Sequence, residues 1–119
     1  MDDVISSVLP DKVERVAGAG NKFVHLAEGH SDFYLNLVPG LKHWDVCGSE
    51  AILTARFGII TDANQSPLTY VEDGKTHTLL NGVVAAKNKR FYDICRQRIE
   101  SHLGYSLSEC QKLVANNAL

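Results

Sequence analysis

The sequence predicts a single α/β layered domain, a mixed sheet with flanking helices. Three observations predict it. Strand-like alternation repeatedly gives way to helix-like apolar spacing, turn residues separate the segments, and 119 residues leave room for one core. Apolar residues make up 45% and charged residues 22% of the chain, as in an ordinary globular domain.

Residues 2–9 form a short, weak helix that Pro10 closes. Val13 to Ala17 alternates apolar and charged residues and predicts a strand, which runs into the flexible break Gly18-Ala19-Gly20. From Asn21, the spacing of Phe23, Val24, Leu26 and Ala27 predicts a helix ended by Gly29. Asp32 to Val38 alternates again, with Phe33, Leu35 and Leu37 on one face and Tyr34 and Asn36 on the other, a half-buried strand. Pro39-Gly40 is a turn, and Trp44 to Phe57 a helix with Asp45 in its first turn, where the helix dipole favours a carboxylate. Ile59–Ala63 and Leu68–Val71 flank Asn64-Gln65-Ser66-Pro67 and predict a hairpin, with a polar loop from Glu72 to His77. Gly82 to Ala86 suits a buried strand. Asn88 caps a helix from Lys89 to Leu103, ended by Gly104, and the tail from Tyr105 adds a further helical piece. The basic residues Lys87, Lys89, Arg90, Arg96 and Arg98 are expected on the exposed face of that helix.

Bulk properties exclude several functions. No apolar run approaches the roughly 20 residues that a membrane span needs. Met1-Asp2-Asp3 is acidic where a secretory signal would be basic, so a cytoplasmic location is expected. A net charge of −2 argues against a nucleic-acid surface but leaves room for a local basic site. Cys47, Cys95 and Cys110 are odd in number and widely spaced, so small core residues are expected rather than a disulfide framework or a zinc site. The five histidines contain no His-x-x-x-His pair and read as surface or satisfied residues.

Two short motifs carry the chemistry. In Gly18-Ala19-Gly20-Asn21-Lys22, a glycine-rich turn opens a helix, so backbone N–H groups and the helix N-terminus make an anion site beside a lysine charge. Alone, such a turn is more often only a turn. Asp45 in Trp44-Asp45 is a candidate magnesium ligand, although first-turn aspartates are usually caps and one carboxylate makes a poor magnesium site. Together the motifs weigh more. Gly18-Ala19-Gly20-Asn21-Lys22, an apolar helix, Glu28-Gly29, an aromatic-rich strand, Lys42-His43-Trp44-Asp45-Val46-Cys47 and Glu50-Ala51-Ile52-Leu53 follow in order. That series resembles the C-terminal domain of the inositol monophosphatase superfamily, and within it the 3′(2′),5′-bisphosphate nucleotidases. The resemblance runs from about Pro10 to Leu103.

Members of that family hydrolyse the 3′-phosphate of adenosine 3′,5′-bisphosphate to give AMP, and many act on its sulfated relative. The resemblance implies that Asp45 binds a Mg²⁺ ion and lies against the substrate, and that Gly18 and Lys22 hold the nucleotide. Some relatives carry an arginine where this chain has Asn36, whose amide offers no cation. The family's N-terminal half supplies a glutamate and an Asp-x-Ile/Leu-Asp-Gly-Thr motif, and nothing here matches them. Glu72-Asp73-Gly74-Lys75-Thr76 reads as a solvated turn. Residues 1–119 are therefore expected to be the nucleotide-side lobe without the lobe that builds the metal cluster, holding no complete catalytic set and inactive alone. The expected partner is a small phosphorylated nucleotide, with an N-terminal half in trans or self-association, and no nucleic acid or membrane. The alternatives are a fragment like inositol polyphosphate 1-phosphatase and a non-catalytic nucleotide-binding or interaction module.

Overall fold

Val83–Ala86 is an unbroken apolar run, and such a strand is stable only where both sheet faces are covered. In the computed structural model, which describes residues 2–13, 19–38, 41–68, 79 and 81–116, this run is the central strand and all four residues are buried. The elements in chain order are α1 (Asp2–Ser6), α2 (Ala19–Ala27), β1 (Phe33–Asn36), α3 (His43–Ala55), β2 (Ile59–Thr61), β3 (Val83–Ala86), α4 (Lys89–Leu103) and α5 (Leu107–Ala115).

The sheet order is β1-β3-β2, and both outer strands pair antiparallel with β3. Phe33 faces Ala86 in one ladder and Ile59 faces the same residue in the other. Since β1 and β2 both oppose β3, they run parallel to each other, and α3 is the crossover between them. The expected α/β domain with flanking helices is present. Among the described residues the sheet is antiparallel throughout rather than mixed, because β3 lies between the two strands that run parallel to each other.

Alternation along β1 decides which core each side chain joins. Phe33 and Leu35 pack with Val84, Ala86, Tyr92, Ile99 and Leu107 on the side of α1, α4 and α5. Tyr34 packs on the opposite face with Phe23, Leu26, Val46 and Leu53, which come from α2 and α3. The result is three layers, with helices on both faces of the sheet.

Local signals set the helix ends. Asn88 Oδ1 accepts from the Phe91 N–H at 3.0 Å, and α4 stops where Gly104 turns left-handed at φ 77°. Ser106 caps α5 in the same way through Glu109.

Two other expectations fall largely outside the described residues. β2 pairs with β3, and of the hairpin strand expected over 68–71 only Leu68, which is buried, is described, as is only Val13 of the strand expected over 13–17. Arg96 departs from its expectation and is not on the exposed face of α4. It sits four residues after Tyr92, on the inward side with Cys95 and Ile99, and is 4% exposed. Its guanidinium lies 5.6 Å from the Tyr92 ring centroid and 3.8 Å from Glu100 Oε2.

Candidate functional site

The site begins with how α2 is held. Phe23 and Leu26, three residues apart, are both buried and fix one stripe of the helix in the core. Lys22, one residue earlier, is thereby placed in the first turn of α2 and half-buried. Its Nζ stands 5.7 Å from the centroid of the Tyr34 ring. Tyr34 is held in turn by an edge-on contact with Phe23, at 5.0 Å between centroids and 72° between planes. Burial raises the Tyr34 pKa, and the Asn36 hydrogen bond offsets part of that rise. Tyr34 is therefore a neutral phenol through the physiological range. Gly18, the first residue of the expected anion turn, lies outside the described residues, as does the loop from Glu72 to Thr76.

Lys22 and Tyr34 line a cavity of about 640 Å³ between the segment around residues 5–13, α2, β1 and α4. Three of its other ionisable walls are engaged with the protein. Asp32 pairs with Lys87 at 2.7 Å, Arg98 donates to the Val8 carbonyl at 2.8 Å, and His30 lies 3.1 Å from Glu28. The Lys22 ammonium rests on a π face, which neutralises none of its charge.

Asp45 is elsewhere, in the first turn of α3, and it is not among the residues lining the cavity. Its Oδ2 accepts from the Lys42 N–H at 2.9 Å while its own N–H donates to the Lys42 carbonyl at 3.0 Å. Capping is thus a definite use of this carboxylate, and it occupies one of the two oxygens. Magnesium takes near-octahedral oxygen coordination, usually from more than one carboxylate, water and phosphate. Among the described residues, no group of three or more His, Cys, Asp or Glu side chains is placed to hold a metal ion. These residues alone do not fit magnesium.

One buried acid went unmarked in the sequence. Asp62 is 8% exposed, but its Oδ1 accepts from the Asn64 and Ser66 N–H groups at 2.8 and 3.0 Å, so it builds the turn after β2. The Lys22–Tyr34 contact was also unmarked. The alternation of β1 placed Tyr34 opposite Phe33 and Leu35, yet nothing local says which helix covers that face. Among the described residues, no helix is long and apolar enough to cross a membrane.

Comparison with known proteins agrees with this arrangement of motifs. The chain is 44% identical over 91 residues to 3′(2′),5′-bisphosphate nucleotidase 1 of Rattus norvegicus, covering 76% of this chain and 29% of that protein. It is 39% identical over 105 residues to the protein of that name from Homo sapiens, covering 88% and 33%. For that of Dictyostelium discoideum the identity is 30% over 98 residues, covering 81% and 32%. The chain thus spans about a third of the length of the curated relatives it matches. The sequence profile of the inositol monophosphatase family matches residues 2–103, a span that takes in Lys22, Tyr34 and Asp45 and every element from α1 to α4. This chain belongs to the inositol monophosphatase family.

Proposed function

We propose that residues 1–119 are the nucleotide-side lobe of a magnesium-dependent 3′(2′),5′-bisphosphate nucleotidase, and that this lobe binds the substrate without turning it over. In the parent reaction, water and the 3′-phosphate of adenosine 3′,5′-bisphosphate give AMP and inorganic phosphate. The observation that carries the reading is the 44% identity to a nucleotidase over 91 residues, a stretch equal to 29% of that relative's length. Lys22 is a cation in the first turn of a helix, where the dipole and the lysine charge both favour a phosphate. Gly18 extends that site as a backbone donor.

The magnesium ion of this reading needs donors beyond the described residues, with Asp45 contributing one oxygen. What this chain's own residues supply is phosphate binding at Lys22 and a carboxylate fixed by the α3 cap at Asp45. A lobe lacking its other metal donors is completed by an N-terminal half in trans or held by self-association. The exposed Trp44 and Ile52 of α3 support either. Free Cys47, Cys95 and Cys110 suit the reducing cytoplasm.

Two measurements test the reading. Calorimetric titration should show adenosine 3′,5′-bisphosphate binding more tightly than inositol bisphosphates. Lys22→Ala should weaken that binding by roughly tenfold to a hundredfold, the loss of one charge-assisted hydrogen bond. Phosphate release by the purified chain with magnesium should stay at background. Turnover that Asp45→Asn abolishes would refute the inactivity, and preference for an inositol bisphosphate would move the substrate to the inositol phosphatases.

A further inference from the structure

We infer that Tyr34 is a positioning residue for phosphate binding, acting through Lys22; the inference rests on the role proposed above for that lysine. A lysine side chain is a flexible stem with a strongly hydrated charge, and on an open surface its ammonium samples a wide volume. Here the ammonium stands over an aromatic face, at 5.7 Å from the centroid and within the range of cation–π attraction. The face is itself fixed. Phe23, which is fully buried, meets the Tyr34 ring edge-on at 5.0 Å.

The arrangement is directional. Phe23 and Lys22 are consecutive in α2, so the helix presents the ring's support and the ring's cation together. Tyr34 and Asn36 are alternate residues of β1 and lie on one face of the strand. The sheet therefore carries the ring to the helix. A π face attracts the ammonium without taking the place of an anion, so the charge remains available to a phosphate oxygen while the stem loses freedom. Holding the donor before the ligand arrives lowers the ordering cost of binding.

The hydroxyl of Tyr34 plays no part in this, which separates positioning from a direct contact. The test uses the full chain in solution, with Lys22 observed by NMR after ¹³C-lysine labelling and affinity for adenosine 3′,5′-bisphosphate measured by calorimetry. The ε-methylene of Lys22 should resonate upfield through the ring current. Tyr34→Leu should abolish that shift and Tyr34→Phe should keep it. Affinity should fall about two- to fivefold in Tyr34→Leu and stay at the wild-type value in Tyr34→Phe. In a Lys22→Ala background, Tyr34→Leu should have no further effect on affinity. Loss of affinity in Tyr34→Phe, or an undiminished effect of Tyr34→Leu in the Lys22→Ala background, would overturn the proposal. Wild-type binding without an upfield shift would overturn Tyr34 alone. A shift without any binding would overturn the phosphate role of Lys22 and, with it, that of its support.

Discussion

Cys47 is exposed on α3, whereas Cys95 in α4 and Cys110 in α5 are buried. Burial pushes both buried thiols above the ordinary value; at Cys95 the Arg98 charge opposes that rise and the Asp32 charge adds to it. Since the thiolate is the reactive form, these two should resist alkylation. In the folded chain a disulfide-exchange reagent should label Cys47 quickly, and Cys95 and Cys110 only after denaturant is added. Equal labelling of all three without denaturant would contradict their burial. The same shifts have a stability sign. A thiol or phenol whose folded pKa is raised stabilises fully below its unfolded pKa, and that contribution is lost as pH rises through the folded value. The denaturant midpoint should therefore fall above about pH 8.5 as Cys95 and Cys110 ionise, and again above about pH 10 as Tyr34 follows.

At the scale of elements, the entry into β3 is the most constrained point. Gly82 has φ 74°, and a Cβ there would stand 2.9 Å from the Asn36 carbonyl oxygen in β1. Neither strand can retreat, because β3 pairs on both edges. Gly82→Ala should cost about 1–3 kcal/mol, the range for enforced left-handed backbone, read as a lower denaturation midpoint at unchanged pH. Gly48 differs, since a Cβ there meets nothing within 4 Å. Gly48→Ala should stabilise α3 by about 0.5–1 kcal/mol through helix propensity alone. The caps are legible in the amino-acid order itself, because Asn88, Gly104 and the first-turn position of Asp45 act through bonds a few residues away. The inward turn of Arg96 is not, since a basic run looks solvated until Tyr92 and Glu100 are known to surround it.

Across the whole molecule, α3 carries an exposed apolar side besides the buried stripe of Val46 and Leu53. Its charged residues Asp45 and Glu50 are half-buried, while Trp44 is 65% and Ile52 51% exposed, and Phe57 just beyond it is 89% exposed. An apolar side of this kind marks a surface that another body covers. Trp44 is the single tryptophan, so it reports directly on that surface. At low concentration its emission should be that of a water-exposed indole, moving to shorter wavelength as concentration rises into the micromolar range. Hydrophobic dye should bind, and Trp44→Ser with Phe57→Ser should reduce both dye binding and sedimentation coefficient. A monomer across that range with no dye binding would rule out self-association of this lobe.

The sequence by itself determined the kinds of element, most of their ends and the motif series that leads to the family. Each of those is written in spacing, caps and turn residues that act over a few positions. Only the tertiary structure decided that β3 lies between β1 and β2, so that a parallel pair linked by α3 is split by an antiparallel strand. It alone decided that the Tyr34 face meets α2 rather than solvent, that Arg96 turns inward, and that Asp45 caps α3 away from the cavity at Lys22. Periodicity tells which side chains share a face, but the partner of that face is set by packing between segments far apart in the chain.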